Sequence, residues 1–228
     1  MEAISLNGQA SQVESMTKWY KLYSLIRKHG ILKFTWLGLR HILRKTLGLD
    51  WWGEIFFERS LKEPIQEVVP KIKVLIRQAT IDDLDKFKDK IEINNYERLQ
   101  QKFRQSKLCF IALDGNRVVG QQWVSLDDHY DLDLKVTIPV NDKEGYLFDA
   151  QVTPEYRNNR LQSVLSAVAL KYLYEQGFDK ATTVVMDNNT YSLKTCVAKG
   201  FMPKKLLFRL TIFGLRYHRW QKYNKKSD

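Results

Sequence analysis

The sequence is poor in the residues that form disulfide frameworks and metal sites. Only two cysteines, Cys109 and Cys196, occur among its 228 residues, too few for a disulfide framework. The four histidines are scattered, and none stands at metal-ligand spacing from another histidine or from a cysteine. We therefore expect no metal site, and a reducing cytoplasm is the expected compartment.

Long apolar runs are also missing from the sequence. No stretch approaches the roughly 20 apolar residues that a membrane-spanning helix needs. The first fifteen residues include Glu2 and Glu14 and lack the basic start of a signal peptide. We therefore expect a chain that does not cross a membrane.

Acidic residues are absent from residues 16–48, which carry eight Lys and Arg residues among Trp, Tyr, Phe and Leu. Helical spacing within this segment predicts two amphipathic helices, divided at Gly30. Such a composition favours binding to the surface of an anionic membrane. The alternative is a helical hairpin that packs on the main domain or on another subunit, and the oligomeric state is left open. Nucleic acid is the weakest option, because no recognised nucleic-acid motif occurs.

The sequence pattern changes after Pro70. Residues 1–70 are interpreted as the basic helical extension followed by a connector over 49–70 that packs on the main domain, and residues 221–228 as a basic tail. Between them, strand and helix patterns alternate. Strands are predicted at 73–77, 108–113, 117–126, 146–152, 181–186, 205–213 and 215–220, and helices after Thr80, at 95–105, from Leu161 to Gly177 and at 190–199.

Two motifs contain residues suited to ligand binding and catalysis. The segment VTPEYRNNRLQS, residues 152–163, predicts the end of a strand, a turn and the start of a helix. A helix N-terminus presents unpaired N–H groups and a partial positive charge, which suit a pyrophosphate. The second motif is NNTYSLKTCVAKGF, residues 188–201.

Together with the order of the predicted elements, these motifs resemble those of the GNAT superfamily of N-acetyltransferases, over about residues 74–216. Family members carry R/Q-x-x-G-x-G/A in the first motif and N-x-x-S/A-x-x-L-Y-x-K-x-G-F in the second. The resemblance implies an α+β fold for residues 71–220, with a mixed, mostly antiparallel central sheet flanked by helices. It also implies acetyl-CoA or another acyl-CoA as the co-substrate, without a metal.

The resemblance assigns co-substrate binding to both motifs and to the strand before the first. The candidates are Ala150, Val152, Arg157, Asn158, Asn159, Arg160, Leu161, Gln162, Ser163, Asn189 and Ser192, with backbone groups near Ala150 and Val152 expected to hold the pantetheine amides. Arg160 and Gln162 replace the two family glycines. If both keep helical φ, their N–H groups still face the ligand, while Arg157 and Arg160 add charge-assisted bonds to the phosphates. The alternative is a surface turn with solvated arginines.

Two residues are candidates for proton transfer. Counted from Asn189, Cys196 occupies the position of the Tyr that protonates the leaving thiolate in many GNAT enzymes; the alternative is a cysteine that only fills space. Asp149 is an unexpected acid in a buried strand and a candidate general base, with a hydrogen-bonded structural Asp as the equal alternative. Strict alternation of side chains along the strand places Asp149 and Phe148 on opposite faces of the sheet.

Four acids in the connection before this strand could attract a cationic amine, although such a run is more often a solvated loop. They are Asp127, Asp128, Asp131 and Asp133.

These observations predict a cytoplasmic acyl-CoA-dependent N-acyltransferase, most simply an N-acetyltransferase, acting at the inner face of the membrane. An amino sugar or a membrane-linked amine of polysaccharide or lipid synthesis is the preferred acceptor. Two alternatives stay open. One is a GNAT-fold binding or assembly module that has lost its chemistry, and the other is an acyltransferase whose donor is an acyl carrier protein.

Overall fold

A computed structural model describes residues 48–90, 93–132, 134–213 and 215–223, together with scattered positions between 35 and 46. The first predicted N-terminal helix and most of the basic tail therefore lie outside the described residues, and the second predicted helix is described only at those scattered positions, which are helical. The chain divides into two compact units, of which the larger comprises Gly53–Leu207 and Trp220–Asp228 and the smaller Met1–Trp52 and Phe208–Arg219. The cavities and site residues described below belong to the larger unit.

Strands and helices alternate along the described chain much as predicted. The strands are β1 (Asp50–Ser60), β2 (Leu75–Gln78), β3 (Leu108–Asp114), β4 (Arg117–Ser125), β5 (His129–Asp131), β6 (Val136–Ile138), β7 (Glu144–Val152), β8 (Lys180–Met186), β9 (Met202–Ile212) and β10 (Leu215–Lys222). The α-helices are α1 (Ile93–Arg104), α2 (Leu161–Glu175) and α3 (Thr190–Ala198). Two 3₁₀ helices span Ile81–Lys90 and Pro154–Tyr156.

Eight strands form one sheet, in the order β10-β9-β1-β8-β7-β4-β3-β2. The pairs β1–β8, β2–β3, β3–β4 and β4–β7 are antiparallel, whereas β7 and β8 are parallel. The predicted mixed, mostly antiparallel sheet is therefore confirmed. Strands β5 and β6 form a separate two-stranded sheet within the connection that was predicted to be only polar and acidic.

Strand β1 corrects the interpretation of residues 49–70 as a connector. It lies in the sheet beside β8, with pairs running from Glu54 opposite Met186 to Ser60 opposite Lys180. Residues 53–57 are consecutively buried, so the segment lacks the alternation of apolar and polar residues by which a half-buried strand is recognised. Its Arg59 donates hydrogen bonds to the carbonyl oxygens of Lys199 and Pro64 and so ties the end of α3 to the sheet.

Helices cover both faces of the sheet. Helix α2 buries Leu161, Leu165 and Leu173 in the main core, which also contains Phe110 and Val119 from the sheet. On the other face, a second cluster joins residues of β3 and β4 to the first 3₁₀ helix and to α1. Since both faces of these central strands are buried, the sheet holds the site residues on a rigid support.

The sequence predicts that Thr80 caps the first of these helices, with Asp83 three residues on in the manner of a capping box, and the bond from the Asp83 side chain to the Thr80 backbone is present. The backbone N–H of Thr80 donates to Asp83 Oδ2 at 3.0 Å, and the backbone N–H of Asp83 donates to the Thr80 carbonyl at 3.1 Å. Hydrogen bonds from Arg77 lower the pKa of the buried Asp83 carboxyl far below its ordinary value, and Lys86 adds to this effect. The segment that follows is a 3₁₀ helix instead of an α-helix.

Within the described residues, no helix combines the length and the apolar character needed to span a bilayer.

Candidate functional site

The parallel strands β7 and β8 pair along only part of their length. Their register runs from Glu144 opposite Lys180 to Leu147 opposite Thr183, yet β7 continues to Val152 and β8 to Met186. The strands therefore part after Leu147. The facing edges beyond that point are free to accept an extended ligand between them.

A β-bulge in β7 accompanies this separation. Gln121 of β4 is opposite Gln151 and Trp123 is opposite Phe148, so that Asp149 and Ala150 together face the single residue Gln122. Asp149 has φ of +46°, a left-handed conformation that is uncommon for a residue with a side chain. Bulges bend strands and redirect side chains, and they are frequent beside active sites. The bulge is what turns the end of β7 away from β8.

A cavity of about 290 Å³, the splay cavity, occupies the gap between the two strands. Its walls include Phe148, Asp149 and Ala150 of β7 and the end of β8 from Thr183 to Met186. Helices α2 and α3 close it with the side chains of Gln162, Ser166, Asn189, Ser192, Thr195, Cys196 and Lys199.

A second cavity of about 910 Å³, the loop cavity, lies over the first motif. Residues 150–158 and 160–163 line it, together with Arg117 and Tyr191. Ala150 and Gln162 line both cavities. The loop cavity and the splay cavity therefore adjoin, and together they lead from the start of α2 to the bulge.

The backbone of the first motif corrects the expectation of helical φ at Arg160. Arg160 precedes α2 with φ of 63° and ψ of 8°, and Asn158 has φ of 65°. Glycine adopts this left-handed conformation at no steric cost, so Arg160 keeps a backbone conformation suited to the glycine it replaces. Gln162, in contrast, lies in the first turn of α2, as expected. The first helical bond runs from Val164 N–H to the Arg160 carbonyl.

Ten of the eleven predicted co-substrate residues line one of the two cavities. Asn159 is the exception. Its side-chain amide donates to the carbonyls of Tyr156 at 3.2 Å and Arg157 at 3.3 Å, which closes the turn. Asn189 has a structural role as well, since its side chain accepts a hydrogen bond of 3.1 Å from Ser192 N–H and caps α3.

A third cavity of about 630 Å³, the polar cavity, lies against α1, the β5 region and β7. It contains Phe148, Asp149 and Asp131, all of which also line the splay cavity. Four glutamine amides contribute to its walls, from Gln101, Gln105, Gln121 and Gln151. The splay cavity and the polar cavity therefore lie on either side of the β7 bulge and share these three residues in their walls.

Asp149 is surrounded by hydrogen-bond donors. It forms an ion pair with Lys102 and accepts from Gln151 Nε2 at 2.6 Å and from Gln121 Nε2 at 3.4 Å. The Lys102 ammonium also lies 5.5 Å from the centroid of the Phe148 ring. Asp149 and Phe148 therefore reach the same cation, and the predicted alternation between them is wrong because the bulge inserts an extra residue.

The described acids of the Asp run line the polar cavity but have structural partners. Asp127 pairs with the buried Lys107, whose hydrogen bond lowers the pKa of the Asp127 carboxyl. Asp128 accepts from Val140 N–H at 2.9 Å, and Asp131 accepts from Leu134 N–H at 2.8 Å. Asp133 lies outside the described residues.

His129 was not recognised as a site residue from the sequence. Its ring centroid lies 4.1 Å from that of Phe148 and 5.4 Å from that of Tyr146, and it lines the polar cavity. Burial lowers the pKa of His129, although Asp131 opposes this effect. The imidazole is therefore mainly neutral near pH 7 and can accept a proton. The residues next to His129 in the sequence are mostly acids, whose negative charges favour a raised pKa instead.

The α3 side of the splay cavity holds Cys196 and Lys199. Burial raises the pKa of the Cys196 thiol, so its reactive thiolate form is disfavoured. Burial also lowers the pKa of Lys199 to about 8. Lys199 was not a predicted site residue, because it stands at a variable position of the second motif.

Among the described residues, no group of three or more His, Cys, Asp or Glu side chains is placed to hold a metal ion.

The family of the protein follows from its sequence match. Residues 76–201 match the Acetyltransferase (GNAT) family. The chain belongs to this family. The matched region runs from β2 to Phe201, three residues beyond the end of α3, and includes the bulge and both motifs. No curated protein matches this GNAT sequence.

Solved structures with a similar fold have low sequence identity to this GNAT chain. A GCN5-related N-acetyltransferase from Sphaerobacter thermophilus is 11% identical with a TM-score of 0.51, over 81% of this chain and 57% of that one. A tandem GNAT protein from the clavulanic acid biosynthesis pathway is 13% identical with a TM-score of 0.51, over 81% and 59%. A conserved protein of unknown function from Staphylococcus epidermidis is 10% identical with a TM-score of 0.50, over 77% and 66%. This chain thus spans less than two thirds of their lengths, and the likeness shows the fold alone.

Proposed function

We propose that this GNAT protein is an N-acyltransferase that moves an acetyl or another acyl group from acyl-CoA to an amine. The observation that carries the proposal is the meeting of cavities at the bulge. The loop and splay cavities adjoin at Ala150 and Gln162, and the splay cavity and the polar cavity share Phe148 and Asp149 as wall residues. A donor and an acceptor entering from opposite sides would meet at these residues.

Acyl-CoA, the co-substrate of GNAT enzymes, fits the donor side. Its pyrophosphate would lie at the start of α2, where the N–H groups of Leu161 to Ser163 precede the first helical bond. Arg157 and Arg160 line the same cavity and supply charge-assisted hydrogen bonds. The pantetheine arm would run along β7 beyond Leu147, where pairing with β8 has ended.

The polar cavity suits a hydroxylated amine as the acceptor. Its walls carry four carboxylates against three cationic side chains, a balance that favours a positively charged amine. The four glutamine amides supply both donors and acceptors for hydroxyl groups. These features support an amino sugar, either free or attached to a lipid or glycan. The basic segment 16–48 would bring the enzyme to an anionic membrane surface where attached acceptors are found.

We assign proton removal from the acceptor to His129 instead of Asp149. The Asp149 carboxylate already accepts from Lys102, Gln121 and Gln151, so most of its lone pairs are engaged within the bulge. His129 lies in the acceptor cavity with a lowered pKa, and its neutral ring can take a proton from an ammonium group. The freed amine then attacks the thioester carbonyl, and the carbon–sulfur bond breaks.

Incubation of the full chain with acetyl-CoA and a set of amines tests this function. Glucosamine, a polyamine and a simple alkylamine are compared, and both the released thiol and the mass of the acceptor are measured. We expect acetylation of the amino sugar in preference to the alkylamine, and no reaction of N-acetylglucosamine, which lacks the free amine.

Binding of acetyl-CoA without acylation of any amine would contradict the enzyme proposal. It would favour the alternative of a GNAT-fold binding module, for which the Cys at the Tyr position argues. If acylation proceeds only from an acylated carrier protein, the donor is that carrier protein instead of acyl-CoA, and the reaction is still acyl transfer to an amine.

A further inference from the structure

We propose that Lys199 is the catalytic acid that protonates the leaving thiolate of the acyl donor. This inference rests on the proposed function. It assigns the task to a residue one helical turn beyond Cys196, the position at which many GNAT enzymes carry a Tyr.

The position of Lys199 on the splay cavity is the first argument. Lys199 follows the last residue of α3 and stands three residues after Cys196, and both line the cavity. Residues at this spacing project from the same side of a helix. A long lysine side chain from this point therefore reaches the space that a tyrosine at position 196 would occupy.

Hydrogen bonds hold the Lys199 side chain in place. Its Nζ donates to Ser166 Oγ at 2.8 Å, and Ser166 Oγ lies within hydrogen-bond distance of Gln122 Oε1 and of the Gln162 carbonyl. Gln122 Nε2 donates to the Phe148 carbonyl at 2.9 Å. Ser166 and Gln122 are each 3% exposed, so this network links the ammonium to the bulge through buried groups that have little freedom to move.

The backbone of Lys199 is also fixed, because Arg59 donates to its carbonyl oxygen. An ammonium carries three N–H groups and Ser166 accepts one of them. The other two remain available to a group bound in the cavity.

The acidity of Lys199 fits proton donation to sulfur. Burial lowers its pKa to about 8, with Cys196 opposing the shift, and an alkyl thiol has a pKa of about 8.5. A proton donor is most effective when its pKa lies close to the working pH. The other titratable groups that line the same cavity are Glu54, Asp131, Tyr146, Asp149 and Cys196, and the Arg59 guanidinium lies at the end of α3.

The proposed step conserves protons and electrons. As the carbon–sulfur bond breaks, its electron pair stays on sulfur, which takes a proton from Lys199 Nζ. Lys199 is left as a neutral amine and regains a proton from solvent. The acceptor nitrogen loses two protons: His129 takes the ammonium proton before attack and passes it to solvent, and then takes the second proton as the carbon–nitrogen bond forms.

Thioesters with different leaving groups test the role of Lys199. In Lys199→Met, kcat with acetyl-CoA should fall by roughly 100-fold or more, the usual contribution of a general acid. With an acetyl thioester of 4-nitrothiophenol, whose thiolate leaves without protonation, the variant should approach the rate of the unaltered protein. Lys199→Arg should behave like Lys199→Met, because a guanidinium keeps its proton. Lys194→Met, on the exposed side of α3, is the matched control and should leave both rates unchanged.

Two results would overturn the proposal about Lys199. One is an unchanged kcat of Lys199→Met with acetyl-CoA, and the other is an equal loss with both thioesters, which indicates a structural role. Calorimetric titration should show that Lys199→Met still binds acetyl-CoA. Failure of the unaltered protein to acylate any amine from either thioester would instead refute the proposed function.

A measurement independent of turnover uses ¹³C-methylated lysines observed by NMR. Lys199, assigned by the loss of its signal in Lys199→Met, should titrate near pH 8. An ordinary lysine pKa near 10.5 at this position would contradict the proposal, whatever the activity of the protein.

Discussion

Replacement of Arg160 separates two ways in which the first motif could hold phosphate groups. Arg160 combines a left-handed backbone, with φ of 63°, and a cationic side chain that lines the loop cavity. Arg160→Gly keeps the backbone conformation available and removes both the Cβ and the guanidinium. Arg160→Ala removes the guanidinium and retains the Cβ.

The expected change in stability follows from the backbone conformation. A residue with a Cβ loses about 1–2 kcal/mol in the left-handed region, whereas glycine increases the entropy of the unfolded chain by about 0.5–1 kcal/mol. We therefore expect Arg160→Gly to leave the free energy of unfolding unchanged or to raise it by up to about 1 kcal/mol. Arg160→Ala should remain close to the unaltered protein, because both keep the Cβ.

The expected change in affinity follows from the guanidinium. A hydrogen bond to a charged group contributes about 1.5–3 kcal/mol, which corresponds to a roughly 10- to 150-fold increase in Kd for acetyl-CoA. Both Arg160 variants should show this loss.

Urea unfolding measures the stabilities, and isothermal titration calorimetry measures the affinities for acetyl-CoA. Lys171→Ala is the control, since Lys171 is an exposed cation of α2 that does not line the loop cavity. It should bind acetyl-CoA within about threefold of the unaltered protein, a free-energy difference of less than 1 kcal/mol. Unchanged affinity in Arg160→Gly would refute the role of the arginine, and a loss of stability in that variant would refute the left-handed backbone.

Three further predictions concern His129, Asp83 and the basic segment 16–48. Because burial lowers the pKa of His129 below 6.5, kcat/KM of the unaltered protein should fall only as the pH drops below that lowered value. In His129→Gln, kcat/KM at pH 7 should be roughly 100-fold lower, and its decrease at acidic pH should disappear. If the decrease at acidic pH persists in the variant, His129 is not the base. Asp83→Asn should lower the free energy of unfolding by about 1–3 kcal/mol at pH 7. Because the pKa of Asp83 is depressed in the folded protein, the difference in unfolding free energy between the two proteins should be present above the unfolded-state pKa of about 3.9 and shrink as the pH falls below it. A difference that does not change with pH would contradict a stabilising role for the charged Asp83 carboxylate. Replacement of Lys18, Lys21, Arg27 and Lys28 by Gln should abolish salt-sensitive sedimentation with anionic vesicles, and equal sedimentation of both proteins would exclude this membrane role.

Local sequence signals predicted much of the fold. The cap formed by Thr80 and Asp83, the hairpin of β3 and β4 and the helix from Leu161 each depend on residues that are close in sequence, so propensity and periodicity are sufficient to recognise them. The resemblance to GNAT proteins likewise followed from two short motifs with fixed spacing, and the family match over residues 76–201 confirms it.

The missed features depend on contacts between distant segments. β1 has no alternating pattern because its centre is buried on both faces, and its place in the sheet is set by pairing with β8, about 125 residues later in the chain. The bulge at Asp149 has no glycine to mark it, because an aspartate adopts the left-handed conformation there. Lys199 stands at a variable motif position and enters the splay cavity through its contact with Ser166 of α2.

Calorimetric titration of the full chain with acetyl-CoA tests the central claim most directly. The claim is that the loop cavity and the splay cavity together bind one acyl-CoA. We predict binding to a single site with a Kd between about 1 μM and 1 mM, the range of KM values common among enzymes. Ala150→Trp, which places a large side chain where both cavities share a wall, should abolish the binding. The absence of any binding heat from the unaltered protein up to millimolar acetyl-CoA would contradict the account.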